Sequence, residues 1–178
     1  SIEALYEIYS TLNVARQLHK YFRSREEKAS NTLKLATRLV PLEKVEKELQ
    51  RCIDFKSQEV KSSASPELAQ IRSNLNRAQS AARKKLDHLL KSYSSKGMLQ
   101  ENVVSVRDGR LVLVVKDEFK RKIRGLIHDQ SASGSSYFIE PLETLEDNNR
   151  IRELKGEEQK EIRAILFRLT NFVRDYRY

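Results

Sequence analysis

The chain has little of what cross-links, kinks or anchors a protein. Cys52 is the only cysteine in 178 residues, so no internal disulfide can form, and a reducing cytosol is the expected setting. His19, His88 and His128 are dispersed, and three such histidines with one thiol offer no structural zinc set. Five glycines and three prolines, with 33% charged and 39% apolar residues, argue against a β-sandwich and against a disordered tail; the balance suits long amphipathic helices with solvated outer faces. No stretch reaches the roughly 18 consecutive apolar residues of a membrane-spanning helix, so no membrane partner is expected. The opening Ser1-Ile2-Glu3 is neither an initiator methionine nor a signal peptide, and both ends read as cuts made inside a longer protein.

What the chain does have is positive charge, +9 in all, and the charge is uneven. Residues 1–61 carry +3, residues 62–96 carry +5, residues 97–140 carry +1, and residues 141–178 are neutral. A central positive field points to a polyanionic partner, because clustered Lys and Arg raise both affinity and encounter rate for phosphate backbones. The bland alternative is a solvated helix face that confers solubility alone.

Hydrophobic periodicity organises the chain into helices around a small β insert. Leu5, Tyr9, Leu12 and Leu18 fall on helical spacing, and a second helical piece is expected over residues 29–39. Pro41 interrupts, after which Leu42, Val45, Leu49, Cys52 and Ile53 restart the period. Ser65-Pro66-Glu67 is a helix start: Ser65 can cap, Pro66 suits the first helical position, and Glu67 favours the positive end of the dipole. From there Leu68, Ile71, Leu75, Ala78, Ala82, Leu86, Leu89 and Tyr93 recur at threes and fours, with Arg83, Lys84 and Lys85 off that stripe. Beyond Pro141 the period returns from Leu145 to Tyr176, and this helix is expected to pair with the one beginning at Pro66.

Between those helices the pattern changes. Two β-branched runs around Val103–106 and 111–115 are joined through Arg107-Asp108-Gly109-Arg110, and Asp-Gly between apolar runs signals a hairpin because the turn needs positive φ. Residues 123–127 read as a third strand and residues 136–139 as a fourth, with a polar loop between them. Four short strands with one apolar face must lean on the surrounding helices. The fold class expected is therefore mainly α with a small antiparallel β insert: core and lever helices over residues 1–96, a clamp-like sheet over 97–140, and a second lever helix over 141–178.

The insert is where chemistry concentrates. Arg107, Arg110, Lys116, Lys120, Arg121, Lys122 and Arg124 stand against Asp108, Asp117 and Glu118, so residues 107–124 carry +4. A stiff sheet displaying such side chains can straddle a phosphate ridge; the alternative is an edge blunted by cations. Arg83, Lys84 and Lys85 form a second basic surface. Little aromatic interleaving argues against stacking on exposed bases. His128, Asp129 and Ser131 invite a triad reading, but no nucleophile elbow or oxyanion device accompanies them, and no catalytic residue is assigned. Ser131, Ser133 and Ser135 are candidates for phosphate contact in a loop that more simply closes a turn. Glu157, Glu158 and Glu161 could in principle hold a divalent ion, but nearby Lys155, Lys160 and Arg163 make a solvated face the better reading. No metal is assigned.

The order of these signals resembles a known family. Ser65-Pro66-Glu67-Leu68, Val106-Arg107-Asp108-Gly109-Arg110, the run from Gly125 through His128-Asp129-Gln130-Ser131-Ala132-Ser133-Gly134, Phe138-Ile139-Glu140-Pro141 and Asn148-Asn149 occur in the sequence of the second-type branch of the bacterial MutS family. One position departs, with Val114 standing where that family usually has proline. The resemblance implies core and lever helices with an inserted clamp, lying before an ATPase domain. It implies a bacterial, cytoplasmic, dimeric parent that binds ATP and magnesium in that separate domain, grips branched DNA, suppresses recombination and often carries an Smr nuclease. A ribosome-rescue role with rRNA contact is also implied. No nucleotide-binding loop or nuclease motif lies within these residues, so the segment itself is expected to be a non-catalytic, cofactor-free DNA-binding module; an rRNA-binding module and a structural spacer are the alternatives.

Overall fold

A computed structural model describes residues 1–24 and 38–176. It is mainly helical with two small antiparallel sheets. The helices are α1 (Ile2–Arg23), α2 (Glu43–Cys52), α3 (Pro66–Ser94) and α4 (Leu145–Asp175). The strands are β1 (Ile53–Asp54), β2 (Glu59–Val60), β3 (Leu99–Arg107), β4 (Arg110–Lys116), β5 (Gly125–Gln130) and β6 (Ser136–Pro141). The helical piece expected over residues 29–39 lies almost wholly outside the described residues. Among the described residues, no helix is long and apolar enough to cross a membrane.

The chain forms two compact units. The first comprises Ser1–Ala69 and Gln159–Tyr178, the second Gln70–Glu158. In the first unit Leu5 of α1, Val45, Leu49 and Cys52 of α2, Leu68 of α3, and Ile165 and Leu169 of α4 are fully or almost fully buried in one core. Burial pushes the Cys52 thiol above its ordinary range. Ser65 caps α3 as the sequence suggests, accepting the Leu68 N–H at 3.0 Å, and its hydroxyl donates to Glu161 at 2.7 Å. The helical period continues through Ile53 in the sequence, yet the helix stops at Cys52 and a hairpin of two-residue strands follows. Asp54 makes that turn: its carboxylate accepts the N–H groups of Lys56 and Ser57, which holds its pKa down. Strands of two residues are too short to leave a period-two signal.

In the second unit α3 and α4 pair as expected. Ile71, Leu75 and Ala82 pack on Ile151 and Leu154, with Arg72–Glu158 and Lys85–Asp147 ion pairs at 2.7 and 2.6 Å. The buried Ala82 supplies the narrow point of the stripe. The larger sheet has the order β3-β4-β6-β5. Its turn at Asp108 and Gly109 takes φ of 48° and 76°, the left-handed geometry the Asp-Gly pair signals, and sets Arg107 opposite Arg110.

Two expectations about this sheet change. The third strand is Gly125–Gln130 rather than 123–127; Ile123 is buried in the core before pairing starts. Gly125, the first paired residue, admits no side chain, since a Cβ there would collide with the Glu140 carbonyl oxygen and lie 2.8 Å from Ile139 Cγ2. The sheet is also apolar on both faces of β4, not one. Leu113 and Val115 with Ile139 pack on Leu86 of α3, whereas Val112, Val114 and Phe138 form a second buried cluster on the opposite face. Val114 is an ordinary strand residue paired with Phe138.

Candidate nucleic-acid interface and its buried anchor

Period-two alternation fixes which side chains share a face with the second cluster: Arg110, Val112, Val114 and Lys116 from β4, and Ser136, Phe138 and Glu140 from β6. Glu140 has no exposed surface. A carboxylate buried this deeply is costly unless its oxygens are saturated by donors, and three elements converge to do so. Arg110 Nη1 donates to Oε1 at 2.8 Å and to Oε2 at 3.1 Å. Asn148 Nδ2, in the first turns of α4, donates to Oε1 at 2.8 Å. His128 Nε2 lies 2.5 Å from Oε2; His128 occupies the bulge between Ile127 and Asp129 in β5.

The network extends beyond the carboxylate. The Asn148 amide bonds the Leu111 peptide from both sides, accepting its N–H at 3.1 Å and donating to its carbonyl at 3.0 Å, much as a neighbouring strand would. Arg110 Nη2 donates to Asn149 at 2.9 Å. Glu140 thus ties the β3–β4 turn, β5 and the start of α4 to one point. Arg-Asp-Gly-Arg, His-Asp-Gln, Phe-Ile-Glu-Pro and Asn-Asn, scattered over some forty residues, meet there.

The seven cations expected to form one array divide into different employments. Arg110, only 15% exposed in its side chain, is consumed by Glu140 and Asn149. Arg107 lies over the Phe138 ring at 3.7 Å with Asp129 at 3.6 Å. Lys116 donates to the Gly97 carbonyl at 2.9 Å. Lys120 donates to Asp117 at 2.6 Å and to the Tyr137 hydroxyl at 3.1 Å, and the Asp117 hydrogen bond raises its pKa. Lys122 is exposed above Phe119, 5.0 Å from the ring centre. Arg121 and Arg124 are exposed and, with Lys122, lack a carboxylate partner among the described residues. These three follow the short 3-10 turn Asp117–Phe119 and lead into β5.

The α3 surface is split similarly. Arg83 pairs with Asp87 at 3.2 Å and Lys85 with Asp147, leaving Lys84 exposed between them. Ser131, Ser133 and Ser135 are linked hydroxyl to hydroxyl at 3.3 and 2.7 Å, and Ser131 Oγ accepts the Ser136 N–H. Gly134, at φ 74°, closes this turn. The turn abuts the cationic segment, since Asp117 N–H donates to the Ser135 carbonyl. Ser131 is occupied here, and His128 is directed at Glu140. Glu158 is engaged by Arg72 and Glu161 by Ser65; among the described residues no cluster of three metal-ligating side chains occurs.

Sequence reasoning missed the Glu140 anchor. Its signal is a carboxylate directly after the apolar run Tyr137-Phe138-Ile139 and before Pro141, a position where charge survives only with partners.

No family model matches the chain, but similar proteins are plentiful among curated sequences. It is 39% identical over 168 residues to an endonuclease MutS2 of Pelotomaculum thermopropionicum, an alignment covering 94% of this chain and 21% of that protein. It is 36% identical over 175 residues to the endonuclease MutS2 of Geobacillus sp. strain WCH70, covering 97% and 22%. Over 116 residues it is 46% identical to that of Acetivibrio thermocellus, covering 65% and 15%. The chain spans about a fifth of the length of the first two relatives. With identity at this level running from its helices through the anchored sheet, the chain belongs to the MutS2 family, as a segment of it.

Proposed function

We propose that this segment is the nucleic-acid grip of a MutS2 protein, the sheet meeting the phosphate backbone of duplex or branched DNA. The observation that carries the reading is the exposed trio Arg121, Lys122 and Arg124, without a carboxylate partner among the described residues, on a turn braced by the sheet. Cations held so are ready to displace condensed counterions from a phosphate ridge. Arg107, Lys116 and Lys120 flank them with part of their hydrogen-bonding capacity spent internally, and the Ser131, Ser133 and Ser135 turn adds hydroxyls alongside. Lys84, with Arg83 and Lys85, offers a second surface. Arg110 serves the same end indirectly by fixing the sheet.

Chemistry is assigned to the remainder of the parent. The relatives' name carries a nuclease activity, and we place that activity, ATP and magnesium binding, and dimer formation in the four-fifths of the relatives' length outside this alignment. Suppression of recombination follows if branched DNA is the ligand.

The test is binding of a labelled four-way junction across about 50 to 200 mM salt. The chain is expected to lose affinity steeply, and the Arg121→Glu, Lys122→Glu, Arg124→Glu variant to bind at least tenfold more weakly with a shallower salt slope, because three contacts account for about 2.7 units of that slope. A flat salt response, or unaltered binding by the variant, removes the sheet from DNA recognition. Displacement of the junction by structured rRNA at lower concentration than by unlabelled junction would transfer the same surface to the ribosome.

A further inference from the structure

A basic concavity lies in the first unit, and it shares no residue with the candidate interface. It is a cleft of about 1010 Å³ between the C-terminal half of α1 and the start of α2, with Tyr176 on its wall. Arg16, Lys20 and Arg23 line it from α1, spaced at four and three so that they share one stripe. Lys44 and Lys47 face them from α2, and among the described residues Glu43 is the one acidic residue in the lining.

Internal pairing accounts for part of this charge. Arg16 Nε is held by both Glu46 oxygens at 3.2 and 2.9 Å, and Lys47 by Glu43 at 3.3 Å. Lys20, Arg23 and Lys44 are exposed and have no carboxylate partner among the described residues. Helix electrostatics explain Lys20 and Arg23, which sit in the last turn of α1. They do not explain Lys44, which lies in the first turn of α2, at the positive end of that helix, where a cation is unfavourable. Like charges gathered across a cleft repel one another unless an anion lies between them.

We propose that this cleft is a second phosphate-binding site, taking the backbone of a single nucleic-acid strand. Two flexible lysines and an arginine present separate point charges, suited to successive phosphates along a chain. Its volume is at the upper end of the range for small-molecule pockets, far more than one phosphate needs. Tyr176, half-buried on the wall, supplies an aromatic face of the kind on which an unpaired base stacks. The site is independent of the sheet reading, because it shares no residue with it.

The experiment is acylation footprinting of the intact chain, read by mass spectrometry, with oligothymidine, blunt duplex DNA or inorganic pyrophosphate as probe. Oligothymidine is expected to protect Lys20 and Lys44, and to do so better than duplex or pyrophosphate. The Lys20→Glu, Arg23→Glu, Lys44→Glu variant, checked for folding by circular dichroism, is expected to bind oligothymidine about tenfold more weakly and to lose about 2 units of salt slope. Should the variant fail to fold, protection in the unaltered chain decides. Unprotected Lys20 and Lys44 overturn the proposal, as does protection by pyrophosphate or duplex that oligothymidine does not match. Replacing Arg121, Lys122 and Arg124 leaves this footprint in place, so failure of one site is separable from failure of the other.

Discussion

The β3–β4 turn and the turn leading into β5 carry the same kind of side chain and use it in opposite ways. At the first, Arg110 points inward to a carboxylate with no exposed surface, and Arg107 lies flat on Phe138. At the second, Arg121, Lys122 and Arg124 stand in water with no carboxylate partner among the described residues. The difference is burial, and burial changes what a charge is worth. An ion pair removed from water is costly to break because the surviving partner is left stranded, whereas an exposed cation adds almost nothing to stability. One group of cations maintains the shape of the sheet; the other is available to a ligand.

The sharpest way to break that contrast is Arg110→Ala. It strands Glu140 with only His128 and Asn148 for company, and is expected to cost about 3–5 kcal/mol in a urea titration. A loss below about 1 kcal/mol would place Arg110 with the surface cations after all. Gly125→Ala comes next: the added methyl meets the Glu140 carbonyl oxygen and Ile139, and strand displacement should cost about 1–3 kcal/mol. Asn148→Ala removes the amide that bonds Leu111 and Glu140 together, at about 1–3 kcal/mol for the buried groups left unsatisfied. At the small end, the Arg121→Glu, Lys122→Glu, Arg124→Glu variant should unfold within about 0.5 kcal/mol per substitution of the parent chain. That variant loses junction binding while keeping stability, whereas Arg110→Ala loses stability and weakens junction binding only through the shape of the sheet; if the surface variant loses stability as well, the division of labour is wrong.

The same contrast shows what a sequence reveals about cations. Their density over residues 107–124 was visible, as were the helix stripes, the Ser65 cap and the Asp108-Gly109 turn, since each depends on neighbours three, four or two residues away. Whether Arg110 is exposed was not visible, because its carboxylate partner lies 30 residues downstream and its amide partner 39. The basic cleft was hidden for a related reason. Residues 1–61 carry only +3, and a modest average conceals Lys20, Arg23 and Lys44 once other cations are neutralised by Glu43 and Glu46. The short β1–β2 hairpin and the second apolar cluster behind β4 escaped too, one because two residues hold no period, the other because Val-Leu-Val-Val alternates nothing.

Local geometry and composition are enough to specify the long helices, the hairpin turn and the excess of positive charge. Which charges remain available depends on the folding of distant segments against one another. That folding sets β4 between β3 and β6, brings Arg110, His128, Asn148 and Glu140 within hydrogen-bonding distance, and removes that carboxylate from water. A side chain's solvation depends on distant neighbours that no linear pattern records.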